Sequence, residues 1–256
     1  MLVVTGASRG IGAATARRAA AAGWAVAVHY GRDAAAAQSV VRAIADAGGE
    51  AHAFGADVAD DAQVARLFEA VDAQFGAGRL RGLVYNAGVV DVAQRVDAMS
   101  RARLERMFSI NVFGAFACAR EALRRMSTLH GEARHRAAGG CAGGAIVNVS
   151  SVAATLGAPG QYVDYAASKA AIDAFTVGLA REVATEGVRV NAVRPGIIDT
   201  EIHASGGSPE RAREAAPIIP MRRAGSADEV AAAIVWLLSD DASYATGAIL
   251  DLSGGR

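Results

Sequence analysis

Leu2-Val3-Val4-Thr5-Gly6-Ala7-Ser8-Arg9-Gly10-Ile11-Gly12 opens the chain after its first methionine, and an alanine-rich stretch of helical period follows directly. The apolar run at 2–4 reads as a strand buried on both faces, since no polar residue alternates with it. Glycines at 6, 10 and 12 let the backbone turn sharply and approach a ligand that a Cβ would repel. The helix that follows presents unpaired N–H groups and the positive end of its dipole, which together favour an anion. A glycine-rich turn can also serve packing alone. Its place after the first strand of an α/β alternation points to a diphosphate.

Working outward from this turn, apolar runs alternate with longer segments of helical period along the whole chain. Strands are expected near Leu2–Thr5, Ala25–Tyr30, Glu50–Gly55, Leu80–Asn86, Ala145–Ser150, Arg189–Val193 and Ala248–Asp251. Helices are expected near Gly10–Ala22, Ala34–Ala47, Asp60–Phe75, Arg101–Met126, Tyr162–Thr185 and Ala227–Ser239. Right-handed crossovers make this an α/β, doubly wound (Rossmann) domain, a seven-stranded parallel sheet with helices on both faces. No repeat, Pro-rich linker or charge block divides residues 1–256, so one domain is expected. Two segments break the rhythm. Ser127–Gly144 is polar, Gly-rich and aperiodic, and reads as a surface loop. Gly196–Gly225 holds Pro209, Pro217 and Pro220 and exceeds ordinary connection lengths, as lids and substrate loops do.

Composition narrows the function classes. The 256 residues are 52% hydrophobic and 20% charged, with 26 basic and 26 acidic side chains. Zero net charge gives no reason to expect nucleic acid. No apolar run approaches the roughly 20 residues that cross a bilayer. The immediate strand at Leu2 leaves no room for a leader, and Cys118 and Cys141 lack zinc or redox spacing, so a cytoplasmic setting is expected. His29, His52, His130 and His135 show no metal spacing and read as surface or loop residues, and no metal is expected. His203, in the long substrate loop, is a candidate for substrate contact.

Tyr165 and Lys169 stand at i and i+4 of an expected helix and so share a face. A free phenol, with pKa about 10, is a poor base at neutral pH. An ammonium close by would stabilise the phenolate, as would a cationic nicotinamide. Lys169 is the only lysine among the 26 basic residues, and a compact ammonium suits this role better than a planar guanidinium. Ser151 follows the expected strand Ala145–Ser150, at the sheet edge where open α/β folds bind ligands. Its hydroxyl could orient a substrate oxygen; Ser150 is the alternative, pointing to the other side. At the end of the second strand the acid that would bind the 2′-hydroxyl of NAD is absent. Tyr30 and Arg32 occupy that region, and with Arg9 they suit a 2′-phosphate, although either arginine also fits a solvated surface. NADP is the cofactor expected, with NAD the alternative.

Taken together these residues resemble the short-chain dehydrogenase/reductase family, from Thr5 to Gly255. The family's T-G-x-x-x-G-x-G turn matches Thr5–Gly12, with Gly6, Ser8, Arg9, Gly10, Ile11 and Gly12 as implied cofactor contacts. Its N-A-G motif matches Asn86-Ala87-Gly88, and Y-x-x-x-K matches Tyr165–Lys169. The resemblance also implies that Asp57-Val58 borders the adenine. Asn111 would hold a relay water, and Pro195, Gly196, Ile198 and Thr200 would lie along the nicotinamide carboxamide. Ser151 matches the substrate-orienting serine, with one extra residue before Tyr165. The implied catalytic set is Asn111, Ser151, Tyr165 and Lys169, and the implied assembly a homotetramer through helices at 101–126 and 162–185 and the last strand. Tyr85 departs from the family's second asparagine, a variation expected to leave the sheet intact. The segment from Ser151 onward is similar to glucose-dehydrogenase-like and 3-oxoacyl-carrier-protein-reductase-like members. The function implied is hydride transfer between NAD(P)(H) and a small-molecule alcohol or carbonyl. A dinucleotide sensor without turnover and a lyase or epimerase are the competing classes. The first usually loses the tyrosine or lysine retained here, and the second usually carries a larger substrate domain.

Overall fold

In the computed structural model, which describes residues 1–130 and 143–256, the glycine turn follows strand β1 (Leu2–Val4) and leads into helix α1 (Gly10–Ala21). The alternation continues through β2 (Val26–Tyr30), α2 (Ala34–Asp46), β3 (Ala51–Gly55), α3 (Asp61–Phe75) and β4 (Gly82–Tyr85). Next come α4 (Arg101–Phe108), α5 (Gly114–Met126), β5 (Gly144–Val149), the short α6 (Ala153–Leu156) and the long α7 (Val163–Val183). The chain closes with β6 (Val188–Pro195), β7 (Ile198–Asp199), α8 (Ile202–Ser205), α9 (Arg211–Ala215), β8 (Gly225–Ser226), α10 (Ala227–Leu238) and β9 (Ile249–Leu252). Most of the expected Ser127–Gly144 loop, with Cys141 and His135, lies outside the described residues.

Seven strands form one parallel sheet in the order β3-β2-β1-β4-β5-β6-β9. Alternate strand residues feed two cores. Val3, Leu83 and Ile146 pack under α3, α5 and α7, while Leu2, Val4, Val84 and Val147 pack under α1, α2 and α10. Both faces are covered, which is why the strands read as unbroken apolar runs. The switch in strand order between β1 and β4 opens a crevice at the carboxyl edge, where such sheets bind ligands.

Three features depart from the expected layout. The helix expected at 101–126 is interrupted at Ser109–Phe113 by a π-helical turn, a one-residue insertion that hydrophobic periodicity does not register. The 196–225 segment is pinned at its base by a second sheet, β7 pairing in parallel with β8. His29 is not a surface residue: it is buried in β2 at 1% exposure.

Candidate active site

The glycine turn is built around Asn86. Its side-chain amide donates to the Thr5 and Gly6 carbonyls at 3.0 and 2.9 Å, and the Thr5 hydroxyl accepts from the Asn86 and Ala87 N–H groups. The Asn86 amide is therefore spent on the turn. Gly12 packs so closely that a Cβ there would lie 2.4 Å from the Gly6 carbonyl and 2.5 Å from the Asn86 amide. Gly6 and Gly10 both hold positive φ, 61° and 54°. His29 completes the scaffold: its Nδ1 accepts from the Gly6 N–H at 3.1 Å, and its other ring nitrogen bonds the Ala56 carbonyl at 3.0 Å.

Side chains cap α2, α3, α4 and α10, but α1 has no side-chain cap at Arg9. Its first N–H groups, beside a turn too tight for side chains, are a fitting cradle for a diphosphate. Thr200 closes over this cradle, its Cβ and Cγ2 3.5 Å from the place of a Gly10 Cβ. Around the ends of β1 and β2, Arg9 and Arg32 are exposed and have no carboxylate partner among the described residues. Asp33, the acid next to Arg32, is committed to capping α2 through the Ala36 N–H at 2.9 Å. Tyr30 lies over the end of β3, its hydroxyl 2.9 Å from the place of a Gly55 Cβ. Asp57 accepts from the Ala59 N–H and Val58 is buried, both just past β3.

Tyr165 and Lys169 converge as their spacing predicts. The ammonium is 5.7 Å from the phenol ring centroid and donates to the Val149 carbonyl at 2.7 Å. The place of a Cβ on Gly88 is 3.4 Å from both this ammonium and the Asn111 amide oxygen, so Gly88 borders the pair. The two serines divide their labour. The Ser150 hydroxyl donates back to the Lys169 carbonyl at 3.1 Å, whereas Ser151 faces the cavity and accepts from the Ala153 N–H. Asn111 lies in the π-helical turn, fully buried. Its oxygen accepts from the Val89 N–H, and its amide group donates to the Val89 carbonyl and the Ser168 hydroxyl. Its side chain thus ties the turn to α7, and Ser168 in turn donates to the Tyr165 carbonyl at 2.7 Å.

Burial pushes the Tyr165 hydroxyl up to about 12, with Ser151 working in the opposite direction and Tyr162 adding to the rise. Burial brings Lys169 down to about 8, opposed by Asp173. Burial thus works against the charged form of both groups.

Tyr165, Ser151, Lys169, Pro195, Gly196 and Thr200 share one cavity of about 200 Å³ with Ile11, Asn86 and Gly88. Ile197, Ile198, Ile202 and Arg211 of the 196–225 segment form its far wall, so that segment borders the site as its length suggested. The His203 side chain lies outside what is described. Sequence reasoning missed Tyr162, whose ring packs edge-on to Tyr165 at 6.0 Å, and the wall residues Val90, Ala93 and Gln161. Tyr162 three residues before Tyr165 on one helix face was the available signal. Also missed was the buried pair Arg103–Asp164, at 2.8 Å, which fixes the residue before Tyr165. Among the described residues no cluster of His, Cys, Asp or Glu could hold a metal, and no helix is long and apolar enough to cross a membrane.

The chain is similar to known proteins over nearly its whole length. Residues 6–256 match the family model described as Enoyl-(Acyl carrier protein) reductase. The chain is 52% identical over 254 residues to the uncharacterized oxidoreductase YgfF of Escherichia coli (strain K12), covering 99% of this chain and 98% of that protein. It is 41% identical over 260 residues to 3beta-hydroxysteroid dehydrogenase 1 of Eggerthella lenta, covering 99% and 92%. A solved short chain dehydrogenase from Burkholderia cenocepacia J2315, in complex with NADP, is similar at TM-score 0.86 and 34% identity, over 99% of this chain and 96% of that one.

Proposed function

The chain belongs to the short-chain dehydrogenase/reductase family of oxidoreductases, and from that premise we propose that it uses NADP(H) to interconvert an alcohol and a carbonyl compound, with Tyr165 as general acid/base. One observation carries the reading. Tyr165, Ser151 and Lys169 line a single cavity at the sheet's carboxyl edge, next to the uncapped N-terminus of α1. When bound, the nicotinamide supplies or accepts the hydride. The chain's residues do the rest. Gly6, Ser8, Arg9, Gly10, Ile11 and Gly12 hold the diphosphate against α1, and Asn86, Ala87 and Gly88 keep that turn open. Asp57 and Val58 border the adenine. Pro195, Gly196, Ile198 and Thr200 bound the nicotinamide end, and Lys169 holds its ribose.

Ser151 donates to the substrate oxygen while Tyr165 delivers or removes its proton. Lys169 stabilises the phenolate, and the Asn111 turn keeps a path for proton exchange beside the ammonium. Arg9 and Arg32, free of carboxylates while Asp33 is committed as a cap, favour the 2′-phosphate of NADP over the ribose diol of NAD. Tyr30, folded over Gly55, flanks the same end. We read residues 1–256 as one domain working in the cytoplasm, assembled as a homotetramer.

The test is direct. Tyr165→Phe should abolish turnover while NADPH affinity, read by fluorescence titration, stays within a few-fold. A variant as active as the parent would contradict the acid/base role. Arg32→Ala should weaken NADPH far more than NADH; equal loss for both would reassign the cofactor.

A further inference from the structure

Among the described residues, several buried or half-buried arginines are matched by a counter-charge or a set of carbonyls. Arg103 pairs with Asp164, Arg125 with Asp72 and Glu121, and Arg194 with Asp173. Arg189 donates to the Leu237, Ala245 and Ser239 carbonyls. Arg211, half-buried at the start of α9, has no carboxylate among the described residues. It is nevertheless held in place. One N–H donates to the Gln161 side-chain oxygen at 2.9 Å, and its guanidinium lies 5.3 Å from the Tyr162 ring centroid. Gln161 is itself fixed, its carbonyl accepting from the Gln94 N–H at 2.7 Å. A guanidinium carries five N–H donors, so most of this fork is unspent.

No aspartate or glutamate lines the cavity: besides the tyrosines its ionisable side chains are Lys169, Arg211 and Arg256. Lys169 is committed to the Val149 carbonyl and to Tyr165. Arg211 is left over, placed beside Tyr162 by its contact with that ring. The rest of the substrate side is apolar, with Val90, Ala93, Val152, Leu156, Ile197 and Ile202.

Resting on the reading of the site as an alcohol/carbonyl oxidoreductase, we propose that its substrate is a compact carboxylate-bearing ketone or secondary alcohol. Its anion is held by Arg211, and its carbonyl faces Tyr165. Tyr162 adjoins both groups, its ring centroid 6.0 Å from the Tyr165 ring and 5.3 Å from the Arg211 guanidinium, which bounds how far apart the two can lie. A partly desolvated fork-to-carboxylate contact supplies both orientation and affinity, and the apolar walls exclude water from its far side.

Binding and turnover are measured separately. The full chain loaded with NADP is titrated calorimetrically with cyclohexanecarboxylate and with cyclohexanecarboxamide, nearly equal in shape and differing in charge. The carboxylate should bind roughly tenfold more tightly or better. That preference should disappear in Arg211→Gln and persist in part in Arg211→Lys. Equal binding of the two probes, binding of neither, or a preference unchanged in Arg211→Gln overturns the proposal. Oxidation of NADPH by 4-oxocyclohexanecarboxylate and by its methyl ester is followed in parallel. A carboxylate preference in binding, with no oxidation of NADPH by either compound or by neutral ketones, supports the anion site and counts against the oxidoreductase reading alone. Turnover of the ester without any carboxylate preference does the reverse.

Discussion

At His29, two neighbours fix the tautomer. The Gly6 N–H donates to Nδ1, so Nε2 must carry the proton and donate to the Ala56 carbonyl. Protonating Nδ1 would set two donors against each other in a buried site, and burial accordingly lowers the His29 pKa, against the smaller opposing pulls of Ala56 and Asp57. The folded pKa therefore lies below the unfolded value of 6.5. Above that value neither state binds the proton and nothing is lost. As pH falls below it, the unfolded chain takes up a proton that the native state resists, and stability drops by up to about 1.4 kcal/mol per pH unit until the folded pKa is reached. Thermal melts should therefore fall off below about pH 6.5, and His29→Asn, which keeps an acceptor near Gly6, should flatten that slope. Lys169 gives a second residue-scale prediction. Its ammonium is buried and donates to the Val149 carbonyl at 2.7 Å, a role that suits a compact point charge better than a planar fork. Lys169→Arg should lower kcat roughly 10²-fold or more, measured as NADPH oxidation, in a chain where every other basic residue is already arginine. The Tyr165–Lys169 pair was legible from spacing, because i and i+4 share a helix face. His29 was not, since a buried histidine differs from an exposed one only in contacts from Gly6 and Ala56, 23 and 27 residues away.

The element that departs most from its expected form is the helix at 101–126. Its apolar residues keep helical period on both sides of Ser109–Phe113, so the sequence shows one helix where the backbone makes α4, a π-helical turn and α5. Such a turn frees carbonyls from the regular ladder, and they need partners when buried. Tyr85 supplies one: its hydroxyl, fully buried at the end of β4, donates to the Ile110 carbonyl. Gly114 makes way for it, since a Cβ there would lie 2.4 Å from the Tyr85 oxygen. The tyrosine that breaks the family's asparagine pattern is thus a support for the turn that holds Asn111. Tyr85→Phe would orphan the Ile110 carbonyl at a cost of about 1–3 kcal/mol. Chemical denaturation should show that loss. The substrate-loop walls were illegible for a related reason: β7 and β8 are two residues each, too short for any period, and are paired across 27 positions of chain.

On the scale of the molecule, strand order and layering followed from the β/α alternation because parallel strands need right-handed crossovers, and these leave little freedom of topology. The assembly is a different matter, since no pattern within one chain says which apolar face meets another copy. The structure narrows the choice. Phe113 and Phe116 are 59% and 51% exposed where the π-helical turn meets α5, and Phe116 stacks on Phe175 of α7 with ring centroids 4.0 Å apart. Two large aromatics exposed about one turn apart are costly in water, and at about 25 cal/mol per Å² their burial contributes several kcal/mol to association. A second exposed apolar set, Trp236, Tyr244 and Leu250, comes from α10, the edge strand β9 and the segment joining them, and the outer side of β9 presents unpaired backbone groups. Two separate faces of this kind suit dihedral symmetry, in which each copy meets two others through self-complementary patches. Sedimentation equilibrium should give a tetramer for the parent chain. Phe116→Glu should stop at a dimer joined through the β9 face, and adding Tyr244→Arg should give monomers. A parent chain that sediments as a monomer at micromolar concentration would assign both patches to other partners. Because α7 carries Tyr165 on one face and Phe175 on another, loss of the helix-face contact should also lower kcat, by loosening the helix that holds the phenol.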